Sequence, residues 1–308
     1  MKTAYFWLTP QGKQLAEQLQ AHFGGTVEPK ADFAEAVRRA FADCDALVFV
    51  MATGIVVRTI APLVQSKASD PAVLVLDQRG KHVISLLSGH LGGANAMAEQ
   101  AAAYLGGEAV ITTATDVEHV PAFDLFAKEN HLTIENLEEL KYISGALVAG
   151  EPVSLCTAFP VEKNAFPETV QIQPFSETPR HACAVAIADT TESVAAPHVL
   201  YLRPKSLVLG VGCKKQIPPA HLEQCFRTFL QEHHLSLSAV EKLATIGLKR
   251  EEPAILALCE KYRLPLEIVA DADIQACAYP FAASAFVQQV TGPVSYTHLR
   301  AHETCADL

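Results

Sequence analysis

The sequence predicts an α/β protein built from an N-terminal α/β domain, a small β-rich middle domain and an incomplete C-terminal α/β domain. Three observations predict it. Short apolar runs alternate with segments of helical period over residues 1–149. From about Gly150 the composition shifts to strand-like runs rich in Pro, Thr and Gln, without helical period. From Ser206 a buried strand entering a glycine turn restores the alternation. The predicted domains are therefore 1–149, 150–205 and 206–292, with 293–308 a tail that fits none of them.

In order, TAYFWLT over 3–9 reads as a strand, and Thr9-Pro10 starts a helix with Leu15, Ala16, Leu19 and Phe23 inward and Gly24-Gly25 at its end. Asp32 with Glu35 has capping-box spacing for a second helix. ALVFVM over 46–51 is a fully apolar strand running into Thr53-Gly54 and a helix that carries Ile55, Val56, Arg58, Ile60, Leu63 and Val64. AVLVLD over 72–77 is a further strand. The short Gln78-Arg79-Gly80 turn behind it implies an antiparallel hairpin with the next strand, Val83 to Leu87. A helix from Ala94 ends at Gly106, AVITTAT forms a strand ending at Asp116, and helices follow at 121–130 and 137–148.

In the middle region PVSLCTAF, TVQIQPF, CAVAIAD and VLYLRP are strands. In the last region SLVLGVGC is a strand, and Pro218–His234 and Pro253–Tyr262 are helices. Ser238 with Glu241 repeats the capping-box pattern, and PLEIVA is a strand.

Half of the residues are hydrophobic and 19% are charged, so the chain is long and apolar enough for two or three cored domains rather than a disordered segment. A net charge of −10 argues against a general nucleic-acid binder while leaving room for a small acidic ligand held by local Arg and Lys. No apolar run nears the roughly 20 residues that span a bilayer. The N-terminus has no signal-peptide pattern, so a cytoplasmic location away from membranes is expected. A homo-oligomer is left open. None of the eight cysteines is paired as C-x-x-C or set in a histidine cluster, which predicts buried thiols and no protein metal site.

The stretch that carries chemistry is VISLLSGHLGGAN over 83–95. A strand, a glycine-rich turn and a helix start together suit an anion cradle, with backbone N–H groups pointing at the ligand. Ser88 and His90 supply a hydroxyl and the one side chain there that titrates near neutrality. Two readings compete: a tight turn in which the glycines serve packing and Ser88 caps the helix, and a ligand site that uses His90 for proton transfer.

TGIVVRTIAPL over 53–63, SDPAVLVLD over 69–77, VISLLSGHLGGAN over 83–95, AVITTATD over 109–116 and LVLGVGCKK over 207–215 together resemble the cobalt-precorrin-5A hydrolase family of anaerobic cobalamin biosynthesis. The resemblance covers residues 45–292. It implies that water opens the ring A δ-lactone of the corrin precursor and that a two-carbon unit leaves as acetaldehyde, the work of a carbon–carbon bond hydrolase. The substrate is an anionic corrinoid that carries its own cobalt, so no cofactor is implied. His90 would be the base. Ser88 and backbone N–H groups at Gly92, Gly93 and Ala94 would hold the oxyanion. Asp116 would orient His90 or bind water, or else merely cap a helix. The matching positions Thr53, Gly54, Arg58, Gly89, Asn95, Thr113, Gly210, Gly212 and Lys214 are implied substrate contacts. Arg58 would pair with a carboxylate, while Lys214 and Lys215 are equally well read as a solvated helix entry. No G-x-S-x-G elbow is present, which disfavours a serine acyl-enzyme. The rival reading is a non-catalytic corrinoid-binding or carrier protein. The final VSYTHLRAHETCADL resembles a translated adapter at the end of a truncated reading frame, so its His-x-x-x-His spacing is set aside.

Overall fold

Alternation in the first strands decides which way each helix packs. The computed structural model describes residues 1–66, 69–162, 165–270 and 272–273. The first 130 residues run β1 (Thr3–Trp7), α1 (Pro10–Phe23), β2 (Thr26–Val27), α2 (Phe33–Asp43), β3 (Ala46–Val50), α3 (Thr53–Ile60), β4 (Ala72–Leu76), β5 (His82–Leu87), α4 (Ala94–Leu105), β6 (Glu108–Val110), α5 (Ala114–Val117) and α6 (Phe123–Glu129). The six strands form one sheet in the order β2-β1-β3-β4-β5-β6. Val48, Val50, Leu74 and Leu76 face α1 and α4, packing on Leu15, Leu19, Ala94, Ala98 and Ala101. Leu47, Phe49, Val73 and Val75 face the other way onto Val37 and Ala40 of α2 and Val56 and Ile60 of α3. Period two in each strand therefore feeds two helical layers.

β1, β2, β3 and β4 run parallel, β5 runs antiparallel to β4, and β6 is parallel to β5. The hairpin implied by the short 78–80 turn is present, with Val73 opposite Leu87 and Leu76 opposite Val83. Its consequence is directional. The C-terminal ends of β5 and β6 lie at the edge where β3 and β4 begin, opposite the edge where β1, β3 and β4 end.

The chain divides into two units, Met1–Lys128 with Ser144–Glu151, and Glu129–Ile143 with the chain from Pro152 onward. In the second unit β7 (Leu132–Ile134) pairs antiparallel with β11 (His198–Pro204), so the middle sheet recruits its edge strand from before Gly150, ahead of the composition shift. A helix, α7 (Leu140–Val148), follows β7. The middle sheet, ordered β7-β11-β10-β8-β9, is otherwise parallel, with β8 (Val153–Thr157), β9 (Val170–Pro174) and β10 (Cys183–Ile187) joined by stretches without described helices. A third sheet holds β12 (Leu207–Gly210), β13 (Val240–Ile246) and β14 (Leu266–Val269), all parallel, with α8 (Pro219–Glu232) and α9 (Pro253–Tyr262) as crossovers. The tail expected at 293–308 and the end of the C-terminal domain lie outside the described residues. Among the described residues no helix is long and apolar enough to cross a membrane.

Several local expectations change. Asp32 stands before α2 at φ 53° and makes no side-chain cap. Ser238 does not open a helix either: Ser236 caps a single 3₁₀ turn, and Glu241 lies in β13. Both are capping-box spacings that the neighbouring chain overrides. α3 ends at Ile60, so Leu63 and Val64 lie beyond it, and Ile55 sits on its exposed face. Thr9 does cap α1, its Oγ accepting from the Gly12 N–H at 3.0 Å.

The second unit is fastened by one buried cation. Arg203, 3% exposed, donates from Nε to Glu135 at 2.8 Å and from Nη1 to the carbonyls of Ala188 and Thr190. Ser236 donates to the other Glu135 oxygen. Removing the guanidinium strands one carboxylate and two carbonyls, so Arg203→Leu is expected to cost about 3 kcal/mol in urea unfolding. A loss below about 1 kcal/mol would show that water or a neighbour satisfies these groups.

Candidate functional site

Chain direction assembles the site. Because β6 runs parallel to β5, the TTATD segment after β6 leaves the sheet at the edge where the SGHLGG turn leaves β5. The turn folds back on itself. Ser88 takes φ 58° and Gly93 takes φ 85°. The N–H groups of Gly93, Ala94 and Asn95 donate to the carbonyls of His90, Ser88 and Gly89. A Cβ on Gly89 would sit 2.6 Å from the Asn95 side chain, and one on Gly92 would sit 2.4 Å from the Ser88 Cβ. These two glycines close the loop against its own residues.

Asn95 is the peg inside that loop. It is buried, accepts from the Ser85 hydroxyl at 2.6 Å, and donates to Thr113 Oγ1 at 3.1 Å and to Asp116 Oδ2 at 3.0 Å. Asp116 sits in the first turn of α5 and is not the cap, a position held by Thr113. The loop turns His90 inward, and its Nε2–H donates to Asp116 Oδ2 at 2.6 Å, with Thr115 Oγ1 at 3.3 Å. On the other side His90 Nδ1 lies 3.3 Å from Asp124 Oδ1, on α6. The imidazole is therefore held at both nitrogens.

The flanking charges hold His90 as a cation. Its pKa is raised from 6.5 to about 9, first through the hydrogen bond with Asp124, against the opposing effect of burial, and then through Asp116. Asp124 dominates although Asp116 is nearer. Its side chain is 10% exposed against 35% for Asp116, so water screens it less. Burial raises the Asp124 pKa, but the bond and charge of His90 outweigh that and leave it below the usual carboxylate value. At neutral pH both ring nitrogens of His90 carry protons, so the ring has no lone pair for water. The sequence suggests His90 as a base, whereas the two carboxylates against its ring favour the protonated form.

The structure brings His90, Ser88, Gly89, Gly92, Gly93, Asn95, Thr113 and Asp116 to one edge. The Ser88 hydroxyl donates to the Asp70 carbonyl at 2.9 Å, and the N–H groups of Gly93 and Ala94 are bonded within the turn, so these three are not free oxyanion donors here. Thr53, Gly54 and Arg58 are elsewhere. They follow β3, whose end is at the opposite edge, and the Arg58 guanidinium bonds back to the Gly54 carbonyl at 2.9 Å. In the second unit Gly210 ends β12, and exposed Gly212, Lys214 and Lys215 form the turn behind it. That turn is tied down where the Gln216 N–H donates to Glu252. Burial raises the pKa of Cys213, which sits beside the core under that turn. Asp124 was missed by the sequence reading. Its one signal is an acid set inside the apolar run VPAFDLFA, where only a partner makes burial tolerable.

A carboxylate–imidazole–carboxylate chain thus lies at the sheet edge of an α/β protein. Three family descriptions match in succession: cobalamin synthesis G N-terminal over residues 35–116, cobalamin biosynthesis central region over 121–204, and cobalamin synthesis G C-terminus over 207–296. The cobalt-precorrin-5A hydrolase of Salmonella typhimurium is 33% identical over 309 residues, covering 94% of this chain and 88% of that protein. That of Priestia megaterium is 35% identical over 230 residues, covering 70% of this chain and 61% of the relative. A solved cobalamin biosynthesis protein G homolog from Sulfolobus solfataricus covers 93% of this chain and is itself 86% covered, at 22% identity and a TM-score of 0.43. The chain belongs to the cobalamin synthesis G family of cobalt-precorrin-5A hydrolase homologues.

The raised pKa fixes a pH window. Stability from the His90 cation is fully present below pH 6.5 and lost as pH rises through about 9, and amounts to on the order of 3 kcal/mol. In urea unfolding, wild type should exceed His90→Gln at pH 6, and the gap should shrink by pH 9.5. An equal gap at both pH values would mean that the ring is neutral in the folded protein.

Proposed function

We propose that the chain is a cobalt-precorrin-5A hydrolase that opens the ring A δ-lactone with water and releases acetaldehyde. What carries the reading is the Asp124–His90–Asp116 chain, in a protein 33% identical over 94% of its length to an enzyme of that name. Lactone hydrolysis needs a group to take a proton from water and positive charge to steady the developing oxyanion. Asp116 is the most exposed of the three, and His90 and Asn95 both bond to the same one of its oxygens, Oδ2.

In this reading Asp116 is the base. Water attacks the lactone carbonyl carbon as its proton passes to Asp116. The carbon–oxygen bond of the lactone then breaks, and its electron pair goes to the departing oxygen. That alkoxide becomes the carbonyl of acetaldehyde as its carbon–carbon bond to the macrocycle breaks, the pair passing into the conjugated ring. Asp116 then returns its proton to solvent. His90 is the positioning residue. As a cation it fixes Asp116 and offsets the charge that gathers at the lactone, and Asp124 keeps it charged. Cobalt enters as part of the substrate.

With cobalt-precorrin-5A as substrate, Asp116→Asn is expected to lower acetaldehyde release by roughly 10²–10⁴-fold. Wild-type kcat should fall as pH rises through about 9, where His90 loses its charge. Well-folded Asp116→Asn protein with wild-type turnover would overturn the assignment of the base. Tight corrinoid binding by wild type without acetaldehyde would favour a carrier.

A further inference from the structure

Counted without Lys128, the loop would repel an anionic substrate. Asp124 and Asp116 with one imidazolium leave a net negative charge at the loop, on a protein of net charge −10. A corrinoid bearing acetate and propionate arms needs a cation close by, and Arg58 is tied to Gly54 at the far edge. Lys128 is placed to supply it. It lies one helical turn after Asp124 on α6, so both side chains reach the same loop. Its Nζ donates to the Leu91 carbonyl at 2.8 Å, next in sequence to His90, and lies 3.6 Å from where a Cβ on Gly93 would be. Lys128 is exposed, whereas Asp124 is buried. An ammonium has three N–H groups, so one bond to Leu91 leaves two directions open. Among the described residues, and apart from His90 itself, it is the cation whose hydrogen bond reaches this loop.

We propose that Lys128 anchors a carboxylate arm of the anionic substrate beside Asp116. This rests on the hydrolase reading and adds the residue that fixes the substrate's place. Leu91 fixes the ammonium before the ligand arrives, and glycine at 93 keeps the space beside it open. The arm's carboxylate replaces solvent on the two remaining N–H groups, and local charge is neutralised as the lactone approaches Asp116.

The test compares Lys128→Met and Lys128→Arg with wild type, measuring acetaldehyde release, equilibrium binding of cobalt-precorrin-5A by its visible absorbance, and melting temperature. Lys128→Met should raise KM and Kd by roughly tenfold or more, with kcat within about twofold. It should also flatten the salt dependence of kcat/KM, because one screened attraction is gone. Lys128→Arg should recover most of the affinity. An unchanged Kd in Lys128→Met overturns the proposal. So does a loss of kcat and melting temperature together at constant Kd, which is the mark of a strap that only holds the loop. Binding that depends on Lys128 in a wild-type protein that releases no acetaldehyde would refute the hydrolase reading and leave the anchor standing.

Discussion

One imidazole between two carboxylates is the constraint on which the N-terminal unit depends. A largely buried carboxylate such as Asp124 costs several kcal/mol unless a cation meets it. His90 is that cation, and it reaches Asp124 and Asp116 at once only because the 88–93 loop turns it inward. The loop in turn requires glycine at 89 and 92, where any side chain would strike Asn95 or Ser88, and a left-handed backbone at 93. Asn95 passes the constraint on, joining Ser85 of β5 to Thr113 and Asp116 beyond β6. Loop shape and ring charge are thus two sides of one arrangement.

Strand direction decides what the site contains. Had β5 run parallel to β4, its loop would have met the ends of β1, β3 and β4, where open α/β sheets usually hold ligands. Thr53, Gly54 and Arg58 would then have been its neighbours. The hairpin reverses β5, and β6 follows it, so the 88–93 loop lies at the other edge and draws on α5 and α6 instead. The cation that accompanies the triad accordingly changes from Arg58 to one on α6.

Much of this was legible in the residues. The apolar strands, the glycine stop at 106 and the hairpin at 78–80 are local features, and His90 and Asp116 stood out by their chemistry. The hairpin and the two glycine turns were both visible. Yet the edge reversal follows only from combining them, which means tracing direction across the whole sheet. Asp124 lies 34 positions after His90 on a short helix, and no spacing rule joins a residue on a loop to one so far along the chain. The two capping boxes failed for the opposite reason. Their spacing is real, but Asp32 takes a left-handed backbone and Glu241 is claimed by a strand. β7 was missed because a three-residue edge strand carries too short a pattern to show a period, and its partner lies some 70 residues away.

The charge of His90 is the property on which this site most depends. The ¹⁵N resonances of its ring report the protonation of each nitrogen separately, in the whole protein and without substrate. At pH 7 both nitrogens should appear protonated, with a single titration near pH 9 that moves toward the ordinary histidine value in Asp124→Asn. A ring with one unprotonated nitrogen at pH 7, titrating near 6.5, would contradict that charge and return His90 to the role of base.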